Sequence, residues 1–315
     1  MLVVAALGGN ALLARGQALT AQNQRENARI AAGALARIVE AGHDLVVTHG
    51  NGPQVGLLAL QGLAYKPDEI YPLDVMGAET EGMIGYLIEQ ELENALDHAR
   101  PVATLLTQIR VDPEDPAFDK PTKFVGPVYD KAKAEEMAER HGWTIAADGV
   151  HWRRVVPSPE PVEIPDLKVI RLLLQHGTIV ICAGGGGIPV MARSNGSLTG
   201  IQAVIDKDAA SGLLADALDA DALLLLTDVE GILRDFGTDN ATRIEHLSPA
   251  EAVAMDLPSG SMAPKARAAA QFAAGGEGRM AGIGRLGEAL AILEGRAGTV
   301  VGAAVPTMDV DATAN

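Results

Sequence analysis

Cysteine is nearly absent from this chain, with one residue, Cys182, among 315. A lone thiol excludes any disulfide within the chain and fits a reducing compartment. Aromatic residues are almost as scarce, at 3%, so a core has to be assembled from Ala, Val, Leu and Ile. No apolar run approaches the roughly 20 residues needed to cross a bilayer as a helix. The opening stretch 2–7 is short, lacks a basic flank and runs straight into Gly8-Gly9-Asn10, so it reads as a buried strand and not a targeting signal. Positive charge is also in short supply. With 25 basic against 41 acidic residues, the net charge is −16, and such a surface repels nucleic acid and anionic membranes. The expectation is a cytoplasmic protein with small-molecule partners and no nucleic-acid or membrane partner. Any anion site must then be a local concentration of positive charge.

What is present suits a large α/β domain. Hydrophobic residues make up 48% and charged ones 21%, and a chain of this length can bury one big core or two coupled lobes. Apolar stretches at 2–7, 45–48, 101–109, 178–182, 222–226 and 299–301 read as strands, and 21–41 and 75–98 as long helices. Continuous apolar strands alternating with helices predict a mostly parallel sheet covered on both faces. Residues 113–165 break the pattern. They carry prolines at 113, 116, 121, 127, 157, 159, 161 and 165, and both tryptophans, Trp143 and Trp152. A protruding subdomain inserted in the sheet domain is expected there, mobile enough to close over a substrate.

Three glycine turns follow strands: Gly8-Gly9-Asn10, Gly50-Asn51-Gly52 and Gly184-Gly185-Gly186-Gly187. In a parallel sheet, ligands bind beyond the carboxyl ends of strands, and glycine there lets backbone N–H groups approach an anion. Tight packing of a helix on a strand also wants glycine, so one such turn says little and three say more. The usual nucleotide fingerprints fail, because there is no G-x-x-x-x-G-K-[ST] and the run at 184–187 continues into Ile188-Pro189 instead of completing G-x-G-x-x-G. No His, Cys or Asp cluster has metal-ligand spacing; His49 reads as a turn residue and Cys182 as a small buried hydrophobe. The lysines are the informative residues, being eight against seventeen arginines. Four of them, Lys120, Lys123, Lys207 and Lys265, fall in glycine- or proline-marked segments. Lys265 follows Pro264 in the first turn of a helix, where a cation opposes the helix dipole unless an anion sits beside it. A compact ammonium suits phosphoryl transfer, which depends on positioning and charge stabilisation. Asp208, beside Lys207, is placed to orient the lysines by ion pairing, and a purely structural salt bridge is its other reading. Neither Lys207 nor Lys265 is expected in the apolar core.

Several segments taken together resemble the carbamate kinases, a branch of the amino acid kinase superfamily. They are Ala6-Leu7-Gly8-Gly9-Asn10-Ala11-Leu12, Thr48-His49-Gly50-Asn51-Gly52-Pro53-Gln54-Val55-Gly56, Pro121-Thr122-Lys123 with Gly126-Pro127, Trp152-Arg153-Arg154-Val155-Val156-Pro157-Ser158-Pro159, 182–189, 203–208 and 260–265. The resemblance spans essentially the whole chain in matching order. It implies a three-layer α/β/α fold forming one domain, with a carbamate lobe at about 1–180 and a nucleotide lobe at about 181–315. It implies ADP + carbamoyl phosphate ⇌ ATP + carbamate, with Mg2+ on the phosphates and a homodimeric assembly, in the service of arginine breakdown. Carried over by position, Gly8, Gly9 and Asn10 would border the phosphoryl group, and Gly50, Asn51 and Gly52 the carbamate. Lys207 and Lys265 would stabilise the phosphates with Asp208 organising them, and Lys120 and Lys123 would reach in from the protruding subdomain. Gly184, Gly185, Thr227, Asp228, Met262 and Lys265 would meet the nucleotide. No carboxylate pair suggests a metal cage, and Mg2+ commonly relies on substrate phosphates and water, so no metal ligand is named. The sequence departs from the family at Leu233, where relatives usually carry an aromatic, and at 146–151. A sibling kinase of another small carboxylate and a catalytically silent nucleotide-binding relative are the rival readings.

Overall fold

Strand β1 (Leu2–Leu7) sets the architecture, because Val3, Ala5 and Leu7 join one apolar cluster while Val4 and Ala6 join another. A strand buried on both faces needs a covering layer on each. The computed structural model describes residues 1–302 apart from 15 and 259, and of Asn10 only the main chain. From β1 the chain runs through one turn of helix, α1 (Gly9–Leu12), to α2 (Ala21–Glu40), β2 (Asp44–His49), α3 (Gly52–Tyr65) and α4 (Leu73–Ala95). Next come β3 (Val102–Thr104), β4 (Gln108–Val111), β5 (Lys123–Tyr129), α5 (Lys131–His141), β6 (Thr144–Asp148) and β7 (His151–Val156). They are followed by β8 (Pro161–Glu163), α6 (Leu167–Gln175), β9 (Ile179–Ile181), β10 (Ile188–Ala192), β11 (Leu198–Gly200) and α7 (Lys207–Ala217). The remainder holds β12 (Ala222–Thr227), β13 (Leu233–Arg234), β14 (Thr242–Arg243), β15 (His246–Leu247), α8 (Pro249–Ala254), α9 (Met262–Ala274), β16 (Met280–Arg285), α10 (Ala289–Leu293) and β17 (Thr299–Gly302).

Eight strands form the central sheet in the order β15-β17-β16-β12-β1-β2-β9-β3. Every neighbouring pair is parallel except β16 with β17. Helices α2, α4 and α10 cover one face through Ala28, Leu35, Ile84, Ile88 and Ile292. On the other face lie α6, α7 and α9, through Ile170, Leu214, Ala269 and Phe272. Alanine makes up much of the helix side of both cores, with Ala31 and Ala32 on α2 and Ala266 and Ala270 on α9. Small side chains let the helices sit close on the sheet, which is how a core forms with so few aromatic rings. The result is the three-layer α/β/α arrangement. Among the described residues, no helix is long and apolar enough to cross a membrane.

The chain between β4 and β8 builds a separate antiparallel sheet, β5-β7-β6. Helix α5 packs on it, and it leans on α3 and α4 through a satellite cluster of Val55, Leu73, Met76, Val125 and Val156. Strand β8 pairs with β4 in a further sheet, β11-β10-β4-β8, which anchors the end of this excursion to the body.

Two sequence expectations need correction. The stretch 101–109 was expected as one strand, but it is two in different sheets. β3 stays in the central sheet and β4 leaves it to pair with β10. Leu105 still donates its N–H to Ile181 O at 2.9 Å, and the chain changes sheets just after it. The second case is β16, a central strand that the sequence hides because Gly282 and Gly284 interrupt its apolar run. Packing explains those glycines. A Cβ at Gly282 would lie 2.4 Å from Ile292 Cγ2 and 3.0 Å from Leu224 Cδ2, so helix α10 presses directly on the strand backbone. Gly282→Ala should therefore destabilise the protein by about 1–3 kcal/mol through overpacking. Urea unfolding at neutral pH checks this, and an unchanged midpoint would remove the explanation.

Candidate active site

Because β1, β2, β9 and β12 run parallel, their carboxyl ends meet at one edge of the sheet. From β1 the chain winds outward one way through β2, and it returns to β1's other side at β12. The crevice between two such neighbours is where an α/β sheet binds its ligands. A cleft of about 470 Å3 opens there, in the size range of small-ligand sites. It is lined from below by the turns at 8–9 and 50–52, from above by Lys123 and Arg153 of the small sheet, and at its far end by Thr227, Asp228, Leu233, Leu257, Met262 and Lys265.

The glycine turns divide their work. Gly8 donates its N–H to Leu226 O at 2.9 Å and Gly50 to Leu7 O at 3.0 Å, so both carry the sheet hydrogen bonding past the strand ends. Their lack of a side chain permits close approach, since a Cβ at Gly8 would sit 3.0 Å from Leu226 O and one at Gly50 would sit 3.1 Å from Gly9 N. The donors left to face an anion are those of the next residues, Gly9 and the Asn51–Gly52 start of α3, where first-turn N–H groups have no partner within the helix. Asn51 is fixed from the side, as its Nδ2 donates to Thr80 Oγ1 at 2.9 Å. The side chain of Asn10 lies outside the described residues.

Beneath the turns sits a buried ion cluster. Lys207 Nζ donates to Asp208 Oδ1 at 2.5 Å, and Lys265 Nζ to Asp208 Oδ2 at 2.9 Å. Asp208 is only 4% exposed. Burial pushes its carboxyl up, but the two ammoniums outweigh this and hold it at about 2. Lys207 is drawn down from the usual lysine range, mainly by burial and partly by Lys265, with Asp208 opposing both. Local structure places each group. Asp206 caps α7, its Oδ1 accepting from the N–H of Asp208 at 2.9 Å and of Ala209 at 3.3 Å. Ser211 Oγ lies 2.6 Å from Thr48 Oγ1, tying α7 to the end of β2. Lys265 sits in the first turn of α9, with Asp208 as its anion. The lysines are thus more enclosed than the sequence reading allowed, in a polar cluster and not at a solvated surface.

Asp206 has a second task. Its Oδ2 accepts from Lys123 Nζ at 2.9 Å, which fastens the small sheet to the cap of the helix that bears Lys207. Lys120, expected beside Lys123, is exposed and does not line the cleft, because the chain turns between Asp119 and the start of β5. Gly184 also departs from expectation. It is buried against the His49 ring and Glu81, beside the 50–52 turn, and does not line the cleft. Gly185 does line the cleft, with its α carbon against the Asn51 amide. Thr227, Asp228, Met262 and Lys265 come together at the far end, with Leu233. Phe236, three residues on, brings to that end an exposed ring that the sequence reading passed over. His49 stays neutral, pushed by burial to about 4. Among the described residues, no three His, Cys, Asp or Glu side chains gather as a metal-holding group.

Asp206, Arg153 and Phe236 are among the lining residues that sequence reasoning did not name for the site. Asp206 carried a local signal, an Asp directly before a helix, and Arg153 lay within the Trp152–Pro159 run.

A family model described as the amino acid kinase family matches residues 1–281. A carbamate kinase of Rhizobium meliloti is 53% identical over 303 residues, covering 96% of this chain and 93% of its own. One from Haemophilus influenzae is 52% identical, covering 95% of this chain and 96% of its own. Among solved structures, a carbamate kinase from Giardia lamblia bound to AMP-PNP superposes with a TM-score of 0.88 at 40% identity, over 95% of this chain and 98% of that one.

Removing the anion at the centre of the cluster should be severe. Asp208→Asn leaves two buried ammoniums facing each other, a loss of about 3–5 kcal/mol on the scale of broken buried ion pairs. Because Asp208 is held below its unfolded value, its contribution is present above about pH 3.8 and fades toward pH 2. Denaturant unfolding of both proteins should therefore show a gap at pH 7 that narrows below pH 3.8. A gap that is constant with pH would contradict the charge explanation.

Proposed function

The chain belongs to the amino acid kinase family and to its carbamate kinases, it is a phosphotransferase acting on carbamate, and we propose that Lys207, Lys265 and Asp208 carry the transfer between carbamoyl phosphate and ADP. The observation that carries this reading is the pair of ammoniums held on one buried carboxylate at the floor of the cleft, next to the glycine turns. In the ATP-forming direction, a β-phosphate oxygen of ADP bonds to the phosphorus of carbamoyl phosphate. The bond from phosphorus to the carbamate oxygen breaks, and carbamate leaves as the anion. Charge on the moving phosphoryl group spreads over its three equatorial oxygens, where fixed cations and N–H donors stabilise it with no reorganisation. Lys207 and Lys265 supply the cations, and Asp208 keeps both pointing at one place. Backbone N–H groups at Gly9 and at Asn51–Gly52 serve as donors to the transferring and carbamate groups.

Lys123 belongs to the substrate end, reaching in from the small sheet, which closes the cleft over the substrate. Its ion pair with Asp206 supports that role, since closing the sheet and capping the Lys207 helix use one carboxylate. The nucleotide occupies the end lined by Thr227, Asp228, Leu233 and Met262, and the Giardia relative bound to AMP-PNP supports nucleotide binding by a chain of this fold. Mg2+ enters as part of the nucleotide substrate, neutralising its phosphates. Mg2+ commonly relies on substrate phosphates and water, and no step is assigned to the ion.

The test is ATP formation from ADP and carbamoyl phosphate, followed by a coupled assay. Lys207→Met and Lys265→Met keep the apolar stem and remove the charge. Each should lower kcat at least about a hundredfold, comparable to losing one oxyanion donor, while circular dichroism still reports a folded protein. Wild-type turnover in a folded variant would end the assignment. Specificity gives a separate check. Acetate should be phosphorylated weakly, because a near-isostere differs by only about 1–3 kcal/mol of recognition, and N-acetylglutamate or aspartate not at all. Rapid phosphorylation of either amino acid would favour a sibling kinase.

A further inference from the structure

Glu81 is a carboxylate on the inner face of α4 that the mechanism leaves unused, and its position is unusual. It is 1% exposed, and its Oε2 accepts the Thr107 N–H at 2.9 Å while Oε1 is buried with no hydrogen-bond partner. Thr107 in turn grips the 183–188 turn at both ends. Its Oγ1 accepts from Ala183 N at 3.0 Å and its carbonyl from Ile188 N at 2.8 Å. Gly184 packs so closely on Glu81 that a Cβ there would lie 2.9 Å from Glu81 Cγ. The preceding residue, Thr80, holds Asn51 of the 50–52 turn. Two neighbouring residues of one helix therefore fix both turns, and the second of them does so with an ionisable group.

We propose that Glu81 is a positioning residue for the 183–188 turn and that it acts as the uncharged acid, because a buried carboxylate behind this turn, which lines the cleft through Gly185 beside Asn51, would repel an anion bound there. The surroundings favour the uncharged form. Burial dominates and raises its pKa to about 8, the Thr107 and Gly184 N–H groups pull it partly back, and Asp166 at the start of α6 pushes it up again. The other titratable groups packed nearby are neutral or inert. His49 is held uncharged, and the Cys182 thiol is pushed far up by burial and by Glu81 itself. The cation on this side, Lys207, is already paired with Asp208. Nothing among these groups would neutralise an ionised Glu81.

Ionisation of Glu81 should thus weaken binding of carbamoyl phosphate as pH rises through about 8. This rests on the phosphotransferase reading, whose own failure would appear as no ATP at any pH. In wild type, kcat/KM for carbamoyl phosphate at saturating ADP should fall about tenfold per pH unit above that break, as for one essential protonated group. Glu81→Gln, which cannot ionise, should lose the break. An unshifted break in that variant, or a wild-type profile with none, would overturn the proposal. Should Glu81→Gln not fold, calorimetry on the wild type decides. Phosphonoacetamide, a non-hydrolysable analogue of carbamoyl phosphate, should take up a proton on binding at pH 8.5–9, read from heats in buffers of different ionisation enthalpy. Binding without proton uptake in that range would equally overturn it.

Discussion

Asp208 keeps a negative charge where water hardly reaches, and it can do so because two ammonium groups flank it. Each member of this cluster depends on the others. Without the carboxylate, two cations would be left facing each other in a desolvated place. Without the lysines, a buried carboxylate would take up a proton. The cluster also dictates how helices must sit. Lys207 and Asp208 open α7, and Lys265 lies in the first turn of α9, so the two helices must pack with their amino ends converging on the sheet edge. The apolar layer beneath them, built largely from alanine, brings the helices close enough for that convergence.

The positive charge of the site is local and held against an opposing whole. A net charge of −16 sets a field that disfavours anions near the surface. The cleft answers it with Lys207, Lys265, Lys123 and Arg153 around one opening, and with backbone N–H groups that carry no net charge. Asp206 joins these parts. One of its oxygens caps α7 and the other pairs with Lys123, so the small sheet and the ion cluster share a single side chain. This coupling ties the small sheet to the helix whose first residue is proposed to act on the phosphoryl group.

The glycines serve geometry before they serve binding. Gly8 and Gly50 have their N–H groups engaged in the sheet, and they are glycine because the β1 and β2 ends come within contact distance of β12 and of each other. At 185, with φ +67, the backbone itself excludes most side chains, and a Cβ would in addition strike Asn51. Close packing and the proposed anion binding are therefore two uses of the same turns, and the first fixes where the donors of the second point.

By itself the sequence determined the layered architecture, because its apolar strands are continuous and its helices carry one apolar face. It also singled out lysines, rare here and standing at turns, three of which, Lys123, Lys207 and Lys265, line the cleft. The glycine turns after β1 and β2 were legible for the same reason of local pattern, and with them the family. Tertiary structure alone decided the rest. That Lys207 and Lys265 share one carboxylate depends on contact between helices 57 residues apart in sequence, which no local pattern encodes. Strand β16 was hidden because its glycines answer to Ile292 on another element. Gly184 was expected at the nucleotide and Lys120 at the substrate. Their real positions follow from the packing of His49 and Glu81 and from the turn before β5. Glu81 shows the difference most clearly: in the sequence it is one acidic residue among 41, and only burial between two turns gives it a chemistry of its own.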